Sequence, residues 1–172
     1  SVITVFDQHR SGVTEFTSSK DDLIVRNREG SILAFNEREM AMYDPLSRTF
    51  VHVTAIEHMN KLFGYEPKVS FLEDKSGTYW FGRHGLLNYD PHTNEVKTYF
   101  SNEGNANTFS NAPLSAIHED ANGVLWMATH GAGLVRFEKT TEQYRYYTVE
   151  DGLPHNIVCS LLEDEGGNLW LS

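Results

Sequence analysis

Three tryptophans constrain this chain more than any other feature, because each closes the same short phrase. The phrases are "FLEDKSGTYW" (71–80), "IHEDANGVLW" (117–126) and "LLEDEGGNLW" (161–170). Trp80, Trp126 and Trp170 stand 46 and 44 residues apart. Glu73-Asp74, Glu119-Asp120 and Glu163-Asp164 keep the same register, as do Gly77, Gly123 and Gly167. An apolar–E–D–x–x–G–x–x–W column at a steady period is the mark of a repeat architecture, in which one supersecondary unit stacks on copies of itself.

A second column strengthens the period. "YDPHTNEVKTY" from Tyr89 parallels "FEKTTEQYRYY" from Phe137, and two earlier copies run from Tyr43 ("YDPLSRTFVHV") and Phe6 ("FDQHRSGVTEF"). The Tyr43 copy belongs to a degenerate unit in which Gly30 holds the glycine slot, Leu33 replaces tryptophan and Arg26-Asn27 replace Glu-Asp. Each unit divides into four short runs, for example "VSFLED", "TYWFGR", "GLLNYD" and "EVKTYF". These runs are rich in Val, Phe, Tyr and Trp and bounded by Gly, Asp, Asn and Pro, which is strand and turn chemistry. Only Ala55–Gly64 ("AIEHMNKLFG") has room for one or two helical turns.

Four strands in about 45 residues is the pattern of a β-propeller blade. The expected fold is therefore all-β, a propeller of four-stranded antiparallel blades. Its expected division is an outer half-blade at 1–16, whole blades at 21–53, 68–100 and 113–147, and an inner half-blade at 157–172. That makes about four blade equivalents, read as part of a larger propeller of about seven blades. The tryptophans are placed at the opening of each second strand.

Composition narrows the partners. The formal net charge is −10, which argues against nucleic acid and anionic membrane surfaces, since phosphate binding needs a basic footprint. No apolar run reaches the length of a membrane span, and no basic-then-apolar leader opens the chain. The one cysteine, Cys159, lies in the apolar run "NIVCSLLED" and reads as a small buried hydrophobe. No Cys pair or HExxH offers metal spacing, and no G-x-S-x-G or Gly-Lys-Ser/Thr loop is present. Neither a metal nor a cofactor is expected, and no residue is expected to be catalytic.

The repeated phrases resemble the two-component regulator propeller repeat, whose pattern runs D-G-L, an apolar strand, E-D-x-x-G-x-L-W-[IL]-[GS]-T, a glycine pair and an apolar strand ending Y/F-D-P. "EDGLPHNIVCSLLEDEGGNLWLS" (150–172) and "LSAIHEDANGVLWMATHGAGLVRF" (114–137) carry the resemblance best. The Trp80 unit departs from it in "GRHGLL", which lacks the second glycine, and the first blade departs further. The resemblance implies a periplasmic, extracytoplasmic sensor piece of an inner-membrane receptor. In that family such repeats precede a Y-Y-Y domain, a membrane helix and a histidine kinase or diguanylate cyclase output, and several members respond to oligosaccharides.

The repetition itself weighs the residues. Large rings at every copy of one position suit packing between blades, so Trp80, Trp126 and Trp170 read as structural. The Glu-Asp pairs have the look of acid–base carboxylates, but their recurrence before a glycine points to turn bonding. Asp74, Asp120 and Asp164 with Gly77, Gly123 and Gly167 are thus assigned to the turns. The same holds for Asp44-Pro45 and Asp90-Pro91. His84 and His130 each follow a tryptophan by four residues and fall in loops between second and third strands. His155 lies in a blade-joining loop, and those two kinds of loop share one face of a propeller. The candidate ligand-binding set is Arg83, His84, Asn111, His130, His155 and Asn156, with the joining loop Asn102–Pro113 beside it.

The expected function is ligand recognition by a non-catalytic sensor segment, with an oligosaccharide or other small molecule as the ligand. Two alternatives stand beside it. One is a lyase of the streptogramin-lyase type, with His84 or His130 as base and a metal. The other is an assembly role, in which exposed strand edges pair with remaining blades or a second copy.

Overall fold

A computed structural model describes residues 2–7, 12–17, 23–35, 39–55, 69–100 and 109–172. Residues 56–64, where one or two helical turns are expected, and most of the loop Asn102–Pro113 lie outside the described residues. The chain forms two compact units, 1–67 and 68–172.

In the first unit a hairpin pairs β1 (Val2–Asp7) with β2 (Gly12–Thr17) in antiparallel register. A four-stranded antiparallel sheet follows, β3 (Leu23–Arg26), β4 (Ile32–Phe35), β5 (Glu39–Asp44) and β6 (Thr49–Ala55), in chain order. Among its described residues, Leu33, Ala34, Phe35 and Met40 are buried.

The second unit holds two more sheets of the same kind. One is β7 (Ser70–Glu73), β8 (Tyr79–Gly82), β9 (Leu86–Asp90) and β10 (Glu95–Tyr99). The next is β11 (Leu114–Glu119), β12 (Leu125–Thr129), β13 (Leu134–Glu138) and β14 (Gln143–Tyr147). A pair, β15 (Leu161–Glu163) and β16 (Leu169–Leu171), ends the unit. Every neighbour is antiparallel and sequential, so each sheet is a meander with short connections. The second strand opens one residue before each tryptophan, at Tyr79, Leu125 and Leu169. The loop after β14 contains a 3-10 turn, Val149–Asp151, capped by Thr148 and stopped by Gly152 at φ 102°.

The β7–β10 and β11–β14 sheets pack face to face around Trp80, Leu86, Phe109, Leu114, Leu125, Met127, Val135 and Phe137. Trp80 stacks on Tyr99 at 6.2 Å and meets Phe137 edge-on at 5.9 Å, and Phe137 stacks on Tyr144 at 4.6 Å. Offset and edge-to-face contacts of this kind add to what area burial alone contributes. The indole is thus buried mainly by the third and fourth strands around it. Trp80, enclosed by its own β10 and by β13, is 2% exposed, whereas Trp170, beside a two-stranded sheet, is 64% exposed.

Candidate functional site

Each sheet of the second unit has two ends. At one end lie the turns joining first to second and third to fourth strands. At the other lie the loops from second to third strand and from sheet to sheet.

At the turn end the two members of each Glu-Asp pair do different work. Asp74 Oδ1 accepts hydrogen bonds from the backbone N–H of Ser76 (2.9 Å) and Thr78 (3.0 Å), and its Oδ2 accepts from Trp80 Nε1 (2.9 Å). Asp120 does the same for Asn122, Val124 and Trp126, and Asp164 for Gly166, Asn168 and Trp170. The chain reverses because Gly77, Gly123 and Gly167 take φ of 79–85°, the left-handed region that favours glycine. The degenerate turn explains its own substitutions. Asn27 Oδ1 still accepts from Ser31 N–H at 2.7 Å. With Leu33 in the tryptophan slot there is no indole N–H, and so no need for a second carboxylate oxygen.

The glutamates depart from the turn role expected of them. Glu119 Oε2 accepts the Lys75 N–H (2.6 Å), and its Oε1 pairs with Lys139 Nζ (2.6 Å), which also reaches Asp74 Oδ2 at 2.9 Å. Lys75 Nζ closes the set on the Asp120 carbonyl at 2.8 Å. Glu163 meets His118 Nε2 across the next joint at 2.7 Å. The glutamate is therefore a clasp between neighbouring sheets. Burial works to raise the Asp74 carboxyl, but hydrogen bonds from Ser76, Trp80 and Lys139 and the lysine charge pull it down to about 2. Asp164 is likewise lowered to about 2, chiefly by the Trp170 indole. Burial opposes the lowering of Asp120, which bonds from Trp126 and Val124 bring about. Lys139 is raised by its two carboxylates in spite of burial. These groups are locked in the charged state, the opposite of what proton transfer near neutral pH needs.

At the joining end, one continuous belt of backbone hydrogen bonds connects the loops that carry the six candidate residues. Leu114 N–H donates to the Arg83 carbonyl (2.7 Å), His130 N–H to the Pro113 carbonyl (2.8 Å) and Val158 N–H to the Thr129 carbonyl (2.8 Å). His130 forms a bridge with Ile157, and the Asn156 carbonyl accepts from Gly131 (2.9 Å) and Gly133 (2.8 Å). The belt links the loops that carry His84, Asn111, His130 and His155, all four exposed. Arg83 and Asn156 stand apart from them. Arg83 is 7% exposed, and the Asn156 side chain accepts the Val149 N–H at 2.9 Å. Lys139, Lys75 and His118 escaped sequence reasoning because each acts across a joint between sheets, on a partner 44 residues or more away or in another strand turn.

Gly133 is the tightest point of the belt. At φ 76°, a Cβ there would stand 2.0 Å from the Tyr147 carbonyl oxygen, whereas Gly152, at φ 102°, faces open space. Gly133→Ala should therefore cost at least about 2 kcal/mol through backbone displacement. Gly152→Ala should cost only its left-handed strain, and the difference in urea midpoints measures the clash.

Residues 108–131 and 152–172 match the two component regulator propeller family. Those two segments carry two-component regulator propeller repeats. The matched segments contain Asn111, His130, His155 and Asn156 from the belt and Asp120, Trp126, Asp164 and Trp170 from the turn end. The extracellular domain of a putative hybrid two-component system from B. thetaiotaomicron superposes with a TM-score of 0.66 at 21% identity, over 98% of this chain and 23% of its own. A second such domain from that organism gives 0.67 at 19% identity, over 90% and 22%. Virginiamycin B lyase from Staphylococcus aureus gives 0.65 at 12% identity, over 99% and 55%. Among curated proteins, none matches the chain. At these identities the likeness carries the fold, an all-β propeller built of four-stranded antiparallel blades. The chain spans less than a quarter of the length of the two extracellular domains. Among the described residues, no helix is long and apolar enough to cross a membrane.

Proposed function

We propose that these repeats form a non-catalytic recognition segment of an extracytoplasmic sensor in a two-component receptor, taking a carbohydrate or other small ligand at the joining end. The observation that carries this reading is the division between the two ends. The repeated carboxylates that resemble acid–base groups are committed to turns, indoles and sheet joints. Among the described residues, His84, Asn111, His130 and His155 are exposed on the loops that the belt joins. Imidazoles and amides both donate and accept hydrogen bonds, which suits hydroxyl-rich ligands. The repeat family and the extracellular placement of the two similar B. thetaiotaomicron domains support the location; kinase or cyclase output would belong to other parts of such a receptor.

A glycan panel read by thermal shift tests the reading. A ligand at ten times its Kd should raise the melting temperature by about 5 °C, and His130→Ala or His155→Ala should abolish the rise. If no glycan stabilises the protein, the carbohydrate version fails. The likeness to virginiamycin B lyase favours a second reading, a streptogramin-type lyase with His84 or His130 as base. Turnover of a streptogramin that disappears in His130→Ala would displace the sensor reading.

A further inference from the structure

Two joints of the second unit follow one plan and differ in one partner. In the first, Trp80 stacks on Tyr99 of its own sheet at 6.2 Å, and Phe137 of the next sheet meets the two rings at 5.9 and 5.3 Å. In the second, Trp126 lies 5.9 Å from Tyr147, which stands at the repeat position of Tyr99. The next sheet there is β15–β16, and among the described residues it brings no third strand to set a ring against the pair. A cleft of about 640 Å³ takes that place, with Trp126, Leu134, Tyr147, Leu153, Leu169 and Leu171 in its lining. It extends from the strand turns, at Asp120 and Asn168, to the joining end, at Asp151, which is the span of a strand. These polar groups are already committed: Asp120 to its turn and to Trp126, Asn168 to Asp164, and Asp151 to Thr148. What the cleft offers an occupant is therefore mainly apolar.

We infer that this cleft, with the outer edge of β16, seats the hairpin β1–β2 of a second copy of the chain. The hairpin supplies what the joint lacks. In the repeat β1 is a third strand and β2 a fourth, and Phe6-Asp7 stand where Phe137-Glu138 do. Phe6 pairs with Val13 as Phe137 pairs with Tyr144. The hairpin is a two-stranded sheet of the first unit, and the cleft belongs to the second. The existing joints set the register. Trp80 pairs with Asn88, Trp126 with Arg136 and Leu33 with Met42, each one residue before the third-strand aromatic. The same rule puts Trp170 opposite Val5, Leu169 opposite Phe6 and Leu171 opposite Thr4. Phe6 then takes the place of Phe137, against Trp126 and Tyr147. Charge agrees with this seating. Lys139, in the turn between β13 and β14, closes the first joint on Asp74 and Glu119. The matching turn of the hairpin, 8–11, carries His9 and Arg10, and Asp120 and Glu163, the repeats of Asp74 and Glu119, line the cleft. Exchange of hairpins between two copies pairs both β16 edges in an isologous dimer. It makes about eight blades, within the usual range of about 4–8.

Sedimentation velocity of the full chain tests this and should show a dimer that dissociates on dilution. Phe6→Asp should weaken the dimer at least about 30-fold, as loss of an aromatic anchor does at an interface. Leu46→Asp, at a side chain 94% exposed in a different turn, should leave it unchanged. Cross-linking identifies the occupant. With the exposed Cys159 changed to serine, one preparation carries Thr4→Cys and another Leu171→Cys. Mixed and mildly oxidised, they should join by a disulfide, in excess over either preparation alone, because opposed strand residues lie within disulfide reach. Val2→Cys in place of Thr4→Cys, two residues out of register, should join poorly. A chain that is monomeric at every concentration, or a dimer indifferent to Phe6→Asp, overturns the inference. So does a chain carrying both cysteines that links only within itself, since the hairpin would then sit on its own copy.

Discussion

Replacing Trp80 by alanine is expected to lower the stability of the 68–172 unit by about 3–5 kcal/mol, the range for deleting a buried aromatic ring. Trp80 is 2% exposed and touches Tyr99 and Phe137. Its removal opens a cavity between two sheets and takes the indole donor from the buried Asp74 carboxylate. A single domain has only about 5–15 kcal/mol in all, so urea unfolding should shift to much lower denaturant. All three tryptophans belong to this unit, so the fluorescence of the remaining two follows its transition. Trp170→Ala is the control: at 64% exposure it should change stability by less than about 1 kcal/mol. Equal losses at the two positions would show that the indole stabilises through its turn hydrogen bond and not through packing between sheets.

Asp74→Ala is expected to cost about 3–5 kcal/mol, because it leaves Lys139 facing one carboxylate instead of two and the Trp80 N–H buried without an acceptor. Asp74 is 1% exposed, so water does not replace what is lost. Asp74→Asn separates its two oxygens: the amide oxygen can keep the turn, as Asn27 does with Ser31, while the amide NH2 would oppose the indole N–H and the Lys139 ammonium. Adding Trp80→Leu to Asp74→Asn reproduces the pairing found at Asn27 and Leu33. A double-mutant cycle should show the two changes coupled, with the asparagine cheaper once the indole is gone.

The pH dependence follows from the lowered Asp74 carboxyl. Its folded value is about 2 against an ordinary value of 3.8. A depressed carboxyl contributes stability that is fully present above the unfolded value and lost as pH falls through the folded one. The gap between wild type and Asp74→Ala should therefore be constant from pH 7 down to about 4 and narrow between about 4 and 2. Narrowing already at pH 6 would mean that a group other than Asp74 carries the effect.

Much of the fold was legible in the chain because the repeat is written in residues that act locally. A turn of Asp, two free positions and glycine needs only its own backbone, so Asp74, Asp120 and Asp164 announce it without tertiary help. Strand periodicity and turn residues likewise reveal four runs per unit. Part of the candidate site was legible for the same reason: His84 and His130 sit at one repeat position, and position in the repeat decides the end of the blade. Arg83 and Asn156 belong to the same loops, yet the burial of one and the bond of the other to Val149 N–H were invisible in sequence, since neither is set by position in the repeat.

The amino-acid sequence by itself determined the architecture and the end of the blade at which each side chain emerges, because strand direction and turn chemistry are settled within a few residues. Tertiary structure alone decided what those side chains do. Glu119 looks like a second turn carboxylate and is a clasp to Lys75 and Lys139. Trp80 and Trp170 share a motif and differ in burial, since it takes strands from a neighbouring sheet to enclose an indole.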